Sequence, residues 1–117
     1  MLPARSRLRN PGDFRDTLRQ GVRCGRATLV VHARRSAVVD GAGAVSRAGF
    51  IVSKAVGNAV HRNRVRRRLR HAAAAALPSA PFGVDVVVRA LPPSAVADDL
   101  AGEFRLAFAT CLDRLAA

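Results

Sequence analysis

The stretch that decides the fold runs from residue 59 to residue 77 and reads AVHRNRVRRRLRHAAAAAL. It contains no proline or glycine and is dominated by alanine and arginine, which are both strong helix formers. Its apolar residues recur at three- and four-residue spacing and form one narrow stripe, made of Val65, Leu69, Ala72, Ala73 and Ala76. The stretch therefore predicts a long central helix whose small side chains let it lie close against a sheet.

The rest of this helix surface is cationic. Two adjoining i,i+4 rows form a cationic strip, one made of Arg62, Arg66 and Arg70 and the other of Asn63 and Arg67. Like charges at this spacing weaken an isolated helix by about a few tenths of a kcal/mol per pair, so the strip requires an offsetting gain such as phosphate binding. A merely solvated face is the competing interpretation, but it would normally include glutamate, and no acidic residue lies between Asp40 and Asp85.

Asn63 stands in the middle of the strip, where a helix gains nothing from asparagine. Its amide can donate and accept hydrogen bonds toward RNA groups or order a hydrated ion. A packing or cap-proximal asparagine is the alternative interpretation.

Chain length and charge bound the class of protein. A chain of 117 residues buries one hydrophobic core, so we expect a single domain over residues 1–117 with a flexible basic arm at about residues 1–9. The net charge of +12 and the pI near 11.9 favour a polyanionic partner, nucleic acid above all. Lys54 is the only lysine; biased codon usage explains an excess of arginine over lysine equally well, but it does not remove acidic residues.

Other classes of function have no signal in the sequence. No apolar segment approaches the roughly 18 residues of a membrane span, and no apolar h-region follows the first charges, so we expect a cytoplasmic protein without a membrane partner. Cys24 and Cys111 stand alone, so neither a protein-held metal site nor a disulfide is expected, and nothing indicates a small-molecule cofactor. His32, His61 and His71 are scattered, which is more typical of exposed or packing roles than of catalysis.

Caps and apolar periodicity predict two further helices. Asn10 can cap and Gly21 can end a short helix that docks through Phe14. Ser94 can cap a last helix, with the acidic residues 98–99 in its first turn. The apolar stripe of that helix consists of Leu100, Phe104, Phe108, Cys111, Leu112 and Leu115.

Strands are predicted on both sides of the central helix. Strand-favouring residues at 27–34 and 48–53, joined through the turn Asp40-Gly41-Ala42-Gly43, predict an antiparallel hairpin with a long mobile connection. The apolar run at 84–88 predicts a strand that is covered on both faces. A strand, a long helix and a strand in succession imply a crossover connection.

One segment resembles a known family. Residues 49–70 read GFIVSKAVGNAVHRNRVRRRLR and closely resemble the signature of the bacterial ribonuclease P protein component. The resemblance extends more loosely over nearly the whole chain, from Arg7-Leu8 and Asp13-Phe14 through Gly83-Val84-Asp85 to the closing helix.

The resemblance implies an α/β fold of the α+β sandwich-like kind. It has a small central sheet, N- and C-terminal helices packed on that sheet, and the long basic helix in a left-handed β-α-β crossover, against the usual right-handed preference. The implied function is that of a subunit of a ribonucleoprotein endoribonuclease. In it a catalytic RNA, with Mg²⁺ held mainly by that RNA and its substrate, removes the 5′ leader of precursor tRNA, and the protein has no catalytic side chains.

The resemblance also assigns roles to individual residues. The catalytic RNA would be bound by the strip and the residues before it, namely Ser53, Lys54, Arg62, Asn63, Arg64, Arg66, Arg67 and Arg70. The single-stranded leader would lie in a cleft between the first helix and the sheet, beside Phe14 and His32. This makes physical sense because stacking surfaces beside positive charge hold single strands, although a core role for Phe14 is an alternative.

Three positions depart from the pattern of the family. His32 stands where an aromatic residue is common, Ala55 where a second lysine is common, and His71 where an acidic residue or glutamine is common. The first departure leaves stacking in the cleft weaker or differently built. None of the three departures replaces an arginine of the strip.

Three other functions compete with this interpretation. An enzyme acting alone would require paired carboxylates that hold metal ions, and the acidic residues lie in separate predicted elements. A structural RNA-binding protein of the ribosomal type would share the charge and size. A DNA-binding helix-turn-helix would require a short helix before the long one, where residues 50–52 favour a strand instead.

Overall fold

The computed structural model describes residues 2–40 and 43–117. Its helices are α1 (Pro11–Gln20), α2 (Ala59–Ala76) and α3 (Leu100–Ala116). Its strands are β1 (Val22–Gly25), β2 (Leu29–Arg35), β3 (Val39–Asp40), β4 (Gly43–Ala44), β5 (Arg47–Ile51) and β6 (Val84–Ala90). Four strands form the main sheet in the order β1-β2-β6-β5, and β3 and β4 pair separately.

The main sheet is mixed. β1 and β2 are antiparallel, as are β2 and β6, whereas β5 and β6 are parallel and are joined through α2. The crossover that the sequence predicted is therefore confirmed, as is the α/β class with its long central helix.

The predicted hairpin between the strands at 27–34 and 48–53 is wrong. β6 lies between β2 and β5 and pairs with both. The reason is burial: Val84, Val86, Val87 and Val88 are completely buried, so β6 takes a central place in the sheet. Among the described residues of this segment, the antiparallel pairing is the short one of β3 with β4, and residues 41 and 42 of the predicted turn lie outside the described residues.

The core lies between the sheet and the α2–α3 layer, while α1 covers part of the opposite face. The predicted apolar stripe of α2 is buried along its whole length, and Phe104 and Phe108 of α3 stack with ring centroids 5.5 Å apart. No helix in the described ranges is long and apolar enough to cross a membrane.

Asparagine caps start the first two helices. The side chain of Asn10 accepts a hydrogen bond from the Gly12 amide at 2.8 Å, and that of Asn58 accepts one from the His61 amide at 3.0 Å. The predicted cap of α3 is wrong: Ser94 is buried in the 3₁₀ turn Pro92–Val96, and Ala97 after it is extended. Asp99 caps α3 instead and accepts from the Gly102 amide at 3.0 Å.

The N-terminal arm packs along β5. Leu2 and Leu8 are buried, and the Leu8 amide donates to the Ala48 carbonyl oxygen at 2.9 Å. The Arg7 Nε atom donates to the Leu2 carbonyl oxygen at 3.1 Å. These contacts place the arginines of the arm beside the sheet; the flexibility predicted for the arm concerns its motion and stays a prediction.

Candidate nucleic-acid interface

The start of α2 is fixed by the residues just before it. Gly57 has a φ of 151°, a conformation that side-chain-bearing residues rarely adopt, and it ends the 3₁₀ turn Lys54–Val56. Asn58 then caps the helix. Because Val65 and Leu69 face the core, Arg67 between them is exposed, and Arg66 and Arg68 on either side of it are half-buried.

One side of α2 forms an open groove of about 480 Å³, which we call the arginine groove. Its lining residues are Asn63, Arg66, Arg67, Arg70 and His71. None of the α2 arginines forms an ion pair with a carboxylate in the described ranges. The groove is therefore a concentration of uncompensated guanidinium groups, which suit bidentate binding of phosphate.

A second cavity, the Phe14 cavity, lies between α1, the N-terminal arm, β5 and α2 and has a volume of about 290 Å³. Phe14 forms one wall, and Arg7 and Arg9 of the arm contribute to another. Arg66 and Arg70 of α2 line this cavity as well as the arginine groove. The strip and the cleft, which the sequence treated as separate, thus share two arginines.

The Phe14 ring packs on Gly49 of β5, where a Cβ atom would overlap the ring. Phe14 remains half-buried, so the cavity keeps access to its ring. Gly49 pairs with Val87, which pairs with His32 of β2, so Phe14 and His32 lie over the same sheet face. Two strand spacings separate Gly49 from His32, about 10 Å.

His32 lies in a cationic environment. It pairs with Arg23 of β1 and lies diagonally from Arg89 of β6. Burial lowers the pKa of the imidazole below its ordinary value, and the charges of Arg23 and Arg89 lower it further. His32 is therefore a neutral, half-buried ring at neutral pH, with two guanidinium groups near it.

A partly buried ion network holds α1 on this face of the sheet; it consists of Asp13, Asp16, Arg34, Arg47 and Asp85. Arg47 binds Asp85 through two hydrogen bonds of 2.9 Å, and Asp85 is almost completely buried. Asp13 of α1 accepts from Arg34 at 3.3 Å and from Arg47 at 3.2 Å. The hydrogen bonds from Arg47 to Asp85 raise the pKa of the guanidinium, which stays charged.

Asp13 of the ion network directly precedes Phe14 in the chain. By holding Asp13 on the sheet, the network sets where the Phe14 ring lies. Sequence reasoning did not find this network, because its members come from α1, β2, β5 and β6. The register supplies the missing signal: Asp85 pairs with Arg34 on one side and with Arg47 on the other.

The remaining predicted residues do not line the arginine groove. Ser53 and Lys54 are exposed in the turn before α2. Arg62 is half-buried, and its Nε atom is buried without a hydrogen-bond partner in the described residues. Arg64 is exposed in the i,i+4 row of Arg68 and does not line the groove.

Reactive side chains are not gathered in this surface. In the described residues no group of three or more His, Cys, Asp or Glu side chains could hold a metal ion. Cys24 and Cys111 are free thiols, and burial raises the pKa of Cys111 to about 11. The fold and this cationic surface define a small α/β protein built to bind nucleic acid.

Comparison with known proteins identifies the family. The Ribonuclease P family model matches residues 2–114. The chain is 52% identical to the ribonuclease P protein component of Kocuria rhizophila, with 99% of this chain and 100% of that one covered. It is 49% identical to the ribonuclease P protein component of a Nocardioides species, with 100% and 97% covered. The chain belongs to the ribonuclease P protein family.

Solved structures agree. The RNase P protein of Thermotoga maritima is 28% identical with a TM-score of 0.62, with 96% of this chain and 93% of that one covered. The RNase P protein of Staphylococcus aureus shares the fold, with a TM-score of 0.69 at 23% identity and 93% and 94% covered. As a member of this family, the chain is a subunit of a ribonucleoprotein enzyme whose RNA carries the chemistry, and it binds that RNA.

The family assignment decides among the competing interpretations. A ribosomal-type structural protein is not supported, since the family match is to ribonuclease P. A helix-turn-helix is not supported, since β5 and a 3₁₀ turn precede α2 where a helix-turn-helix needs a helix. The predicted ribonuclease P subunit is confirmed.

Proposed function

We propose that the arginine groove binds the catalytic RNA of ribonuclease P and that the Phe14 cavity holds the single-stranded 5′ leader of precursor tRNA. The observation that carries this proposal is that Arg66 and Arg70 line both sites. A leader in the cavity would then lie against the same arginines that bind the catalytic RNA, so the two RNAs meet at one helix.

The role of the groove is electrostatic. The guanidinium groups of α2 lack carboxylate partners in the described residues, so phosphates can take that place and release counterions from the RNA. Asn63 adds an amide that can donate to one RNA group and accept from another. Ser53, Lys54, Arg62 and Arg64 extend the contact toward the start of α2.

The role of the cavity is to hold a single strand. The half-buried face of Phe14 offers a stacking surface, and Arg7 and Arg9 offer positive charge along the strand. His32 does not line the cavity; it lies on the same sheet face beyond Val87, which is completely buried, and would offer a neutral ring to a leader that runs past α1.

The chemistry would belong to the RNA. Magnesium ions held mainly by the catalytic RNA and the substrate phosphates would stabilise the developing charge and generate the attacking hydroxide. The residues of this chain would screen phosphate repulsion and position the leader, which lowers the barrier through orientation.

A reconstitution assay tests this division of roles. Purified protein, catalytic RNA and precursor tRNA with or without a leader are combined at low magnesium, and cleavage and binding are measured. We expect stimulation only when catalytic RNA is present, and tighter substrate binding only when a leader is present. Cleavage by the protein alone, or equal binding of substrates with and without a leader, would contradict the proposal.

A further inference from the structure

On the side of α2 away from the Phe14 cavity lies a third cavity, the α3 pocket, with a volume of about 400 Å³. Its floor is apolar, with Ala72 and Leu100 buried and Ala75 on the α2 wall. Arg67 lines both this pocket and the arginine groove, so the two sites are continuous.

The rim of the α3 pocket combines arginines with carboxylates. Arg67, Arg68 and Arg105 surround it, and the Arg68 Nη2 atom is held by the Ala97 carbonyl oxygen at 2.7 Å. Asp99 is occupied by its hydrogen bond to the Gly102 amide. The Asp98 carboxylate is exposed and has no hydrogen-bond or ion-pair partner in the described residues.

An unpaired carboxylate is out of place on a phosphate-binding surface, because it repels phosphate. Only 8 of the 117 residues are acidic, and two of them line this pocket. A carboxylate does suit the edge of a nucleobase, where it accepts from an exocyclic amino group such as N4 of cytosine. Guanidinium planes and apolar walls suit the face of a base.

We propose that the α3 pocket binds one unpaired nucleobase of the catalytic RNA that carries an exocyclic amino group, with Asp98 accepting from that group. This inference rests on the proposed binding of the catalytic RNA by the arginine groove. The base would be turned out of the strand whose phosphates lie along Arg67, and the pocket would add base recognition to a contact that is otherwise electrostatic.

The test measures affinity for full-length catalytic RNA and probes its bases chemically, nucleotide by nucleotide, with and without protein. Ala75→Leu fills the pocket from an exposed position, and Ala109→Leu is its matched control on the exposed face of α3. Asp98→Ala removes the acceptor, and Asp113→Ala removes another exposed carboxylate, which lies near the C-terminal end of α3 and does not line the pocket. Thermal unfolding checks that all four variants fold.

Electrostatics alone predicts that both aspartate variants bind RNA more tightly, because each loses a negative charge. We expect Asp98→Ala and Ala75→Leu instead to bind about 5- to 10-fold more weakly, the effect of one lost hydrogen bond, while both controls bind at least as tightly as wild type. One base of the catalytic RNA should lose its protection in these two variants only.

Two results would overturn the inference and leave the proposed function standing. One is tighter binding by Asp98→Ala with unchanged base protection, and the other is a pattern of base protection in the catalytic RNA that is the same for wild type, Asp98→Ala and Ala75→Leu. A wild-type protein that fails to bind catalytic RNA would overturn the proposed function as well.

Discussion

Two sets of arginines in this protein differ in whether a carboxylate of the fold neutralises their charge. Arg34 and Arg47 on the sheet are enclosed by Asp13 and Asp85, and their charge is matched inside the fold. The arginines of α2 have no carboxylate partner in the described ranges, and Arg66, Arg67 and Arg70 among them line an open groove.

The difference lies in the partner. A guanidinium that bridges two carboxylates links the elements that carry them, here α1 through Asp13 and β6 through Asp85. A row of guanidiniums without carboxylates is repulsive until a polyanion binds it. The sheet arginines are therefore structural, and Arg66, Arg67 and Arg70 of α2 are free to bind RNA.

The largest effect is expected on the free energy of unfolding, when the ion network on the sheet is broken. Asp85→Ala would leave Arg34 and Arg47 without their buried partner and should lower the free energy of unfolding by about 3–5 kcal/mol. Chemical denaturation measures this loss. Asp113→Ala, which removes an exposed carboxylate, serves as the control and should stay within about 0.5 kcal/mol of wild type. A comparably small loss for Asp85→Ala would show that the ion network does not stabilise the fold.

The second effect is on RNA binding. Reversing Arg66 and Arg67 to glutamate should weaken binding of catalytic RNA about 100-fold at physiological salt, since two phosphate contacts become repulsive. Stability should be unchanged or higher, because neighbouring like charges are relieved. The matched control reverses Arg35 and Arg114, which lie near the C-terminal end of α3. Equal losses in both double variants would mean that net charge alone governs binding.

The third effect is on the leader. Phe14→Ala should lower affinity for precursor tRNA about tenfold, within the roughly 1–3 kcal/mol of a stacked base, and should not change affinity for tRNA without a leader. Gly49→Ala should act in the same direction, since its Cβ atom displaces the Phe14 ring. Gly25→Ala is the control, because a Cβ atom at that position would lie 3.9 Å from its nearest neighbour, Val30 Cγ2, and would displace nothing. Leader-independent losses would assign Phe14 to the core.

The smallest effect is a pH dependence at His32. Its folded pKa lies below its ordinary value of 6.5, so the unfolded chain binds more protons in that window. The free energy of unfolding therefore keeps its full value, as far as His32 is concerned, above about pH 6.5. It falls as the pH decreases toward the folded pKa of His32. Thermal unfolding between pH 8 and pH 5 should therefore show a shallower decline for His32→Gln than for wild type. Identical profiles would show that the imidazole titrates normally.

Local sequence patterns predicted the elements whose signals are local. Asn10 and Asn58 cap helices because their amides reach amides two or three residues away, and the α2 stripe is buried because its spacing matches the helix. Residue spacing also predicted the cationic strip of α2, and the resemblance to a known family supplied the RNA that the strip would bind.

Local sequence patterns do not predict strand pairings and ion pairs between residues that are far apart in the chain. β1 was missed because Val22–Gly25 is short and becomes a strand only by pairing with β2. The insertion of β6 between β2 and β5 depends on pairings some 40 to 60 residues apart in the chain. Asp85 was read as part of an apolar run, although its two arginine partners come from neighbouring strands.

The most direct test of the difference between the two sets of arginines is the salt dependence of binding to catalytic RNA. The slope of log K against log salt is measured for wild type, Arg67→Gln and Arg26→Gln; Arg26, like Arg34 and Arg47, is paired with a carboxylate, that of Glu103, but it is exposed. We expect the slope to fall by about 1 for Arg67→Gln, as one phosphate contact is lost, and to stay unchanged for Arg26→Gln. Equal changes in the two variants would show that pairing with a carboxylate does not separate structural arginines from RNA-binding ones.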